Sequence, residues 1–283
     1  MRSLLPSLFV AGALLAGCDY VDLPKGEQTG PTPPPSGTVT RRVLLEDCTG
    51  HLCNNCPEAA AIAQQLEDTY GDDLIVVGVH MKAEFAAPQS PNYTTDFRTP
   101  AGNEYETTFN IAALPTGLVS RKPFNNNIRV GRFNWASAVS QIIGTEADLD
   151  VWFDTFTYNE ATHQVDATVK VACLNAITGD HSLTVYLTED HVIDWQLNAA
   201  ATPPDVPNYD HRHVLRDNVN GTWGESLIVG SAAAGDTLTK TFSYTLPGNV
   251  ITPANCALVA YVYSSAGADQ YEVKQVAERK FTP

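Results

Sequence analysis

The sequence predicts an α/β domain followed by an all-β sandwich. Three observations carry this. The chain has 283 residues, 43% of them hydrophobic and 17% charged, enough for two ordinary cores. Two continuous apolar runs, Val43-Leu44-Leu45 and Leu74 to Met81, flank a stretch of helical periodicity, as expected of buried parallel strands around a helix. From about Asp150 the hydrophobic period changes from 3.6 to 2 residues, which is the expected mark of a domain boundary.

In chain order, Arg2 and the apolar run Leu4 to Leu15 read as an export signal, too short to span a bilayer as a helix. The tetrapeptide Leu15-Ala16-Gly17-Cys18 resembles the bacterial lipobox. That resemblance implies cleavage after residue 17 and a diacylglycerol on Cys18, so that residues 1–17 are a signal peptide and the membrane is a tether. Residues 18–38, with Pro31, Pro33, Pro34 and Pro35, lack any apolar period and read as a spacer. The first domain is assigned to 39–145. In it a strand over Arg41 to Asp47 precedes a helix carrying Ala59, Ile62, Ala63, Leu66 and Tyr70 on one face, with Gly71 at its C-terminus. Residues Ala83 to Thr99 read as an insertion. A short helix near Tyr105 and Phe109, a strand near Leu118 to Ser120 and a helix bearing Trp135, Val139, Ile142 and Ile143 complete the domain.

The second domain is assigned to 149–283. Val165, Ala167, Val169, Val171 and Cys173 alternate with polar residues, as do Leu183, Val185 and Leu187, and the strand count suits an immunoglobulin-like sandwich. Between Asn198 and Gly235 no element is legible, and so long a loop is expected to be functional or poorly ordered.

The charge of −15 excludes a phosphate-backbone partner, because such a surface repels nucleic acid. Export favours disulfides. Of six cysteines, Cys18, Cys48, Cys53, Cys56, Cys173 and Cys256, lipidation of the first leaves an odd five, hence a free thiol or an intermolecular bond. Cys53-Asn54-Asn55-Cys56 followed by Pro57 sits at a helix start, where free N–H groups and the dipole stabilise a thiolate. In such a site Cys53 attacks a substrate disulfide and Cys56 resolves the mixed disulfide.

The run Asp47 to Cys56 resembles the thioredoxin superfamily, in which a strand places a buried acid six positions before the first cysteine. The resemblance implies a thioredoxin-like first domain, with Cys53 as nucleophile, Cys56 as resolving thiol and Asp47 as proton shuttle. It further makes Pro115 the cis-proline, with Leu114 and Thr116 beside it as the substrate-docking edge. Departures are the Asn-Asn pair, Cys48 in place of an aromatic residue, and extra sequence before Pro115. Over nearly the whole chain, LLEDCTGHLCNNCP and NYDHRHVLRDNVNGTWGE resemble the Omp28-related outer-membrane lipoproteins of Bacteroidota. That likeness implies an envelope or cell-surface protein, with adhesion suggested for some members, and brings no substrate.

Other uses of these residues stay open. The Cys pair could be half a zinc site with His51 or His80, although no second pair exists at finger spacing. Cys48, Cys53 and Cys56 match an iron–sulfur spacing with Cys173 or Cys256 as fourth ligand. Haem attachment fails because Pro57 stands where His is needed. The pair could also be a purely structural disulfide. Cys173 and Cys256 are candidates for a bridge in the sandwich, and Cys48 for a buried small hydrophobe. His211 and His213, near Asp210, are weak metal candidates; Trp223, Tyr261 and Tyr263 could form a surface but suit packing better. The expectation is a tethered thiol–disulfide oxidoreductase without cofactor or metal, acting on thiols or disulfides of envelope proteins. The competing reading is a non-catalytic surface binding protein or adhesin that recognises ligands through residues 198–235.

Overall fold

The computed structural model describes residues 38–281. The signal, the Cys18 anchor and the spacer lie outside the described residues. No helix among the described residues is long and apolar enough to cross a membrane.

Strand β1 (Val43–Thr49) leads through a tight loop to helix α1 (Cys56–Tyr70) and strand β2 (Leu74–His80). Short helices α2 (Ala83–Ala86) and α3 (Pro100–Thr108) precede β3 (Thr116–Val119), β4 (Arg129–Val130) and α4 (Trp135–Ser140). The remainder is strands: β5 (Leu149–Asn159), β6 (Gln164–Cys173), β7 (Ile177–Thr178), β8 (His181–Glu189) and β9 (Val192–Leu197). They continue with β10 (Asp205–His211), β11 (Val214–Asn218), β12 (Glu225–Ile228), β13 (Ser231–Ala232), β14 (Thr237–Thr245), β15 (Cys256–Ser264) and β16 (Val273–Lys280).

These do not form a thioredoxin-like α/β domain followed by a separate sandwich. One mixed sheet runs β16-β15-β8-β11-β2-β1-β3-β4, with β12 pairing β8 off this path, so strands from both halves of the chain share it. The join is β11 against β2: Val214 pairs with Gly78 in parallel, and the Gly78 N–H donates to the His213 carbonyl at 2.8 Å. A side chain at residue 78 would begin only 3.2 Å from the Arg212 carbonyl, so glycine permits the approach. Thus the edge of β2 away from β1 is covered by a strand from beyond residue 200.

The cores follow the same continuity. On one face, Leu44, Val77, Tyr105, Tyr186, Val259 and Tyr261 belong to a single cluster drawn from both halves of the chain. On the other face, Val43 and Leu45 meet Ala59, Ala63 and Trp135 from α1 and α4. Farther along that face, Leu183, Val185 and Leu258 meet Val151, Val169 and Val171 of a three-stranded sheet, β14-β6-β5. A sandwich therefore exists, but one of its two layers is the shared mixed sheet.

Residues 198–235 are a second correction. They contain β10, β11, β12 and β13 and are not an unstructured loop. The pattern was hidden because β11 is short and its alternation is broken by Arg216, which is buried and pairs with Glu189 at 2.7 Å where the register shifts.

A covered disulfide at the end of the sheet

Side chains alternate along β1, so Leu44, Glu46 and Cys48 face α3 while Val43, Leu45 and Asp47 face α1. After Thr49 the chain turns sharply. Gly50 lies against the Phe85 backbone, where an added Cβ would stand 2.6 Å from the carbonyl oxygen. The turn is fixed by N–H donation from Leu52 to the Phe85 carbonyl at 2.9 Å and from Cys53 to the Gly50 carbonyl at 3.0 Å. Helix α1 then starts at Cys56 with Pro57 in its first turn, where a missing N–H costs nothing. Cys53 and Cys56 are joined in a disulfide, with their α-carbons 5.4 Å apart.

Cys53 lies just before α1, as its motif predicts, but the helix tip is covered and not open to solvent. The relative exposure of Cys53 is 3%, and that of Cys56 is 2%. The cover is the β9–β10 hairpin, whose main chain donates from Leu197 to the His51 carbonyl (2.8 Å) and from Ala199 to the Asn54 carbonyl (2.9 Å). The buried Gln196 amide adds a donation to the Cys53 carbonyl at 3.1 Å. On the other flank stand Phe85 to Ala87, where the His51 ring meets the Ala87 carbonyl at 3.1 Å. Gln196 had no signal in the sequence, because its strand carries no legible alternation and its partners in the cysteine loop are 143 or more residues away.

Beneath the hairpin, His80 stacks on Phe97 with ring centroids 4.7 Å apart, and Phe97 meets His211 at 4.8 Å. Burial pushes His80 well below the ordinary imidazole range and His211 down to about 4, so both rings are neutral at physiological pH. The His211 ring bonds to the Trp195 carbonyl at 3.3 Å, His213 bonds to Glu67 at 3.2 Å, and Asp210 contacts His191 at 2.9 Å. Each of the weak metal candidates thus has a partner of its own. Among the described residues no cluster of three or more His, Cys, Asp or Glu is arranged to hold a metal ion.

Beside the disulfide lies a cavity of about 330 Å³, lined among others by Asp47, Cys56, Gln64, His80, Gln196 and Tyr209. Asp47 is 4% exposed and its Oδ1 has no hydrogen-bond partner. Burial raises its pKa to about 7.

The remaining sequence candidates fall as follows. The Leu114–Pro115 peptide is cis, and Thr116 pairs with Cys48, which puts this segment at the same end of the sheet as the cysteine loop. Leu114 packs against the shared core, and the Thr116 hydroxyl donates to the Ala113 carbonyl at 2.7 Å. Cys48 is a buried free thiol whose pKa burial raises well above the ordinary value. Cys173 and Cys256 are both buried and free, so the expected bridge in the sandwich is absent. Tyr261 and Tyr263 are core residues, and Trp223 packs against the same core with its indole N–H donating to Glu104 at 2.5 Å.

Comparison with known proteins places this architecture. The family described as Outer membrane protein Omp28 matches residues 102–282, more than half of the chain. The chain belongs to the Omp28 family. It is accordingly an outer-membrane protein of the cell envelope. Among solved structures it is similar to HBP35 of Porphyromonas gingivalis, at 18% identity and a TM-score of 0.63, covering 86% of this chain and 76% of that one. It is also similar to a protein of Agrobacterium tumefaciens at 12% identity and a TM-score of 0.51, covering 87% and 97%. Both likenesses concern the fold. A domain of the outer membrane lipoprotein Omp28 from Porphyromonas gingivalis is 25% identical, with a TM-score of 0.30, over 48% of this chain and 90% of that one. No curated protein matches the sequence. The Omp28 match begins after β1, α1 and the cysteine pair, so it takes in the hairpin that covers the site and Gln196 and Tyr209 of the cavity, but not Asp47, Cys53 or Cys56.

Proposed function

We propose that this Omp28-family chain is a lipid-anchored envelope protein, tethered through Cys18, that carries out thiol–disulfide exchange at Cys53 and Cys56. One observation carries the reading: the Asp47 carboxyl, buried on the α1 face with no hydrogen-bond partner for Oδ1 and lining the same cavity as Cys56. A purely structural disulfide needs no such group, and burying one without a partner is costly. A disulfide that opens does need it, because protons must be taken up and released as thiols form and leave, and a carboxyl raised to about 7 suits that work. The helix start supplies the second element, since it favours a thiolate leaving group.

A second reading has an observation of its own. Cys53 is 3% exposed beneath the hairpin, as befits a disulfide that only fixes a scaffold whose surface binds a partner. Redox titration of the folded protein in thiol–disulfide buffers separates the two. Exchange predicts reversible opening without loss of the folded circular dichroism signal, at a potential above about −300 mV, and its loss in Cys53→Ser. Reduction only after unfolding would leave the scaffold.

A further inference from the structure

The two cysteines, buried to nearly the same degree, have different neighbours. Cys56 lines the cavity beside α1, whereas Cys53 does not; it lies between the β9–β10 hairpin and the Phe85 to Ala87 segment. We infer that the exchange proposed above enters through Cys56, and that its substrates are low-molecular-weight thiols of amino-acid or small-peptide size. The inference rests on the exchange reading and reverses the order of attack that the motif alone implies.

Size and cover both support it. A folded protein presenting its own thiol would have to displace the hairpin's main-chain donations to His51 and Asn54 before meeting Cys53. The cavity, at about 330 Å³, lies at the small end of ligand pockets, which span roughly 300–1,000 Å³. Its wall combines small apolar side chains, Ala60 and Ala63, with the carboxyl of Asp47 and the phenol of Tyr209. That lining accommodates a short thiol and offers its S–H a proton acceptor.

The chemistry balances without any further oxidant. A small thiol, RSH, enters the cavity and gives its proton to the Asp47 carboxylate. The thiolate attacks Cys56 Sγ: the new S–S bond forms between R and Cys56, the Cys53–Cys56 bond breaks, and Cys53 leaves with the electron pair as a thiolate at the start of α1. That thiolate takes a proton from water, and Asp47 returns its own proton to water. A second RSH attacks the outer sulfur, yielding RSSR and the Cys56 thiol. The protein disulfide is thereby reduced by two electrons and two thiols are oxidised; the reverse sequence reoxidises the pair.

The test uses the full chain with single-cysteine variants and glutathione disulfide as the probe, followed by intact-mass measurement of the mixed disulfide. Cys53→Ser, which leaves Cys56, should form the adduct at least about tenfold faster than Cys56→Ser, a difference of about 1.4 kcal/mol in barrier. Equal rates, or faster reaction at Cys53, would overturn the route. Because loss of the disulfide could loosen the fold, a second variant keeps both cysteines: Ala60→Trp narrows the cavity and should slow reduction by free cysteine about tenfold. An unchanged rate there also overturns it. If neither cysteine nor dithiothreitol opens the pair in the folded wild-type protein, the exchange reading itself fails, which is a different result from exchange that proceeds through the other sulfur.

Discussion

Glu46 and Asp47 follow one another on β1, are both buried, and meet opposite treatment on the two faces of the sheet. Glu46 accepts two charge-assisted bonds from Arg121, from Nε and Nη2, each at 2.7 Å, and a third from the Tyr186 hydroxyl at 2.7 Å. Tyr261 donates to Tyr186 at 2.9 Å, and the guanidinium lies 4.6 Å from the Tyr105 ring centroid. Against the cost of full burial, Glu46 holds the Arg121 proton more tightly than usual. On the other face Asp47 has one oxygen with no partner and a cavity beside it. The Glu46 carboxylate, bonded through both oxygens, ties together β1, β8, β15 and the segment after β3, with Nη1 of Arg121 left over; the Asp47 carboxyl one residue later has an unbonded oxygen and no counter-charge. The contrast separates a group kept for architecture from one kept for chemistry.

The largest effect should come from breaking the satisfied side. Arg121→Ala leaves Glu46 buried without its counter-charge and should cost about 3–5 kcal/mol in urea unfolding. Replacing both partners, Arg121→Met with Glu46→Leu, should recover much of that loss, since the stranded charge and not the missing pair is the main penalty. A double variant as unstable as the single one would mean that the network's geometry, and not its charge, holds the two halves together.

Asp47 should behave in the opposite sense. Its folded pKa of about 7 lies above the ordinary value of 3.8, so the folded state binds the extra proton between those values. Stability from this group is greatest below about pH 4, falls as pH rises towards 7, and is flat above it, by up to about 4 kcal/mol at 1.36 kcal/mol per unit. Asp47→Asn should therefore stabilise the protein at pH 8 by about 2–4 kcal/mol while slowing exchange. A variant no more stable than wild type at pH 8 would show that the carboxylate finds a partner there, and would erase the contrast with Glu46.

His211 slopes the other way. Its pKa is lowered to about 4 from 6.5, so the unfolded state binds the proton first and stability is lost as pH falls from 6.5 towards 4. In wild type this opposes the Asp47 slope over the same range; in Asp47→Asn it should stand exposed, as a loss on acidification of about 3 kcal/mol from His211, to which His80, also held neutral by burial, adds in the same direction. Flat stability between pH 6.5 and 4 in that variant would remove the buried neutral imidazole from the account.

What could be read in advance follows a physical divide. The β1 and β2 runs, the helix start at Cys56-Pro57, Asp47 as a buried acid and the alternating strands around Val169 and Val185 are local patterns, and local patterns survive in a sequence. The shared sheet does not, because its decisive contact is a single parallel pairing, Val214 with Gly78, between segments separated by well over a hundred residues. The same distance hid Gln196 and the cover over Cys53. The helix-tip argument placed Cys53 and Cys56 at the start of α1, where they form a disulfide, but no local rule says that a hairpin from another part of the chain will lie on it. Cys173 and Cys256 mislead for a related reason: lying on strands suits two thiols to burial as well as to a bridge, and only their relative position decides.

The smallest effect tests that cover directly. Gln196 donates to the Cys53 carbonyl at 3.1 Å and to the Leu197 carbonyl at 2.8 Å, so Gln196→Ala removes buried donors at the point where the hairpin meets the cysteine loop. The expected cost is about 1–2 kcal/mol. It should appear as local opening, with the Leu197 and Ala199 amides, which donate to His51 and Asn54, exchanging their hydrogens about tenfold faster while amides of β8 and β15 do not change. If the hairpin is what withholds Cys53, the same variant must also let a protein-sized disulfide react there, narrowing the difference between the two sulfurs. Unchanged protection at Leu197 and Ala199 would mean that the main-chain bonds hold the cover unaided, and the selectivity between Cys53 and Cys56 would then have to come from the cavity wall alone.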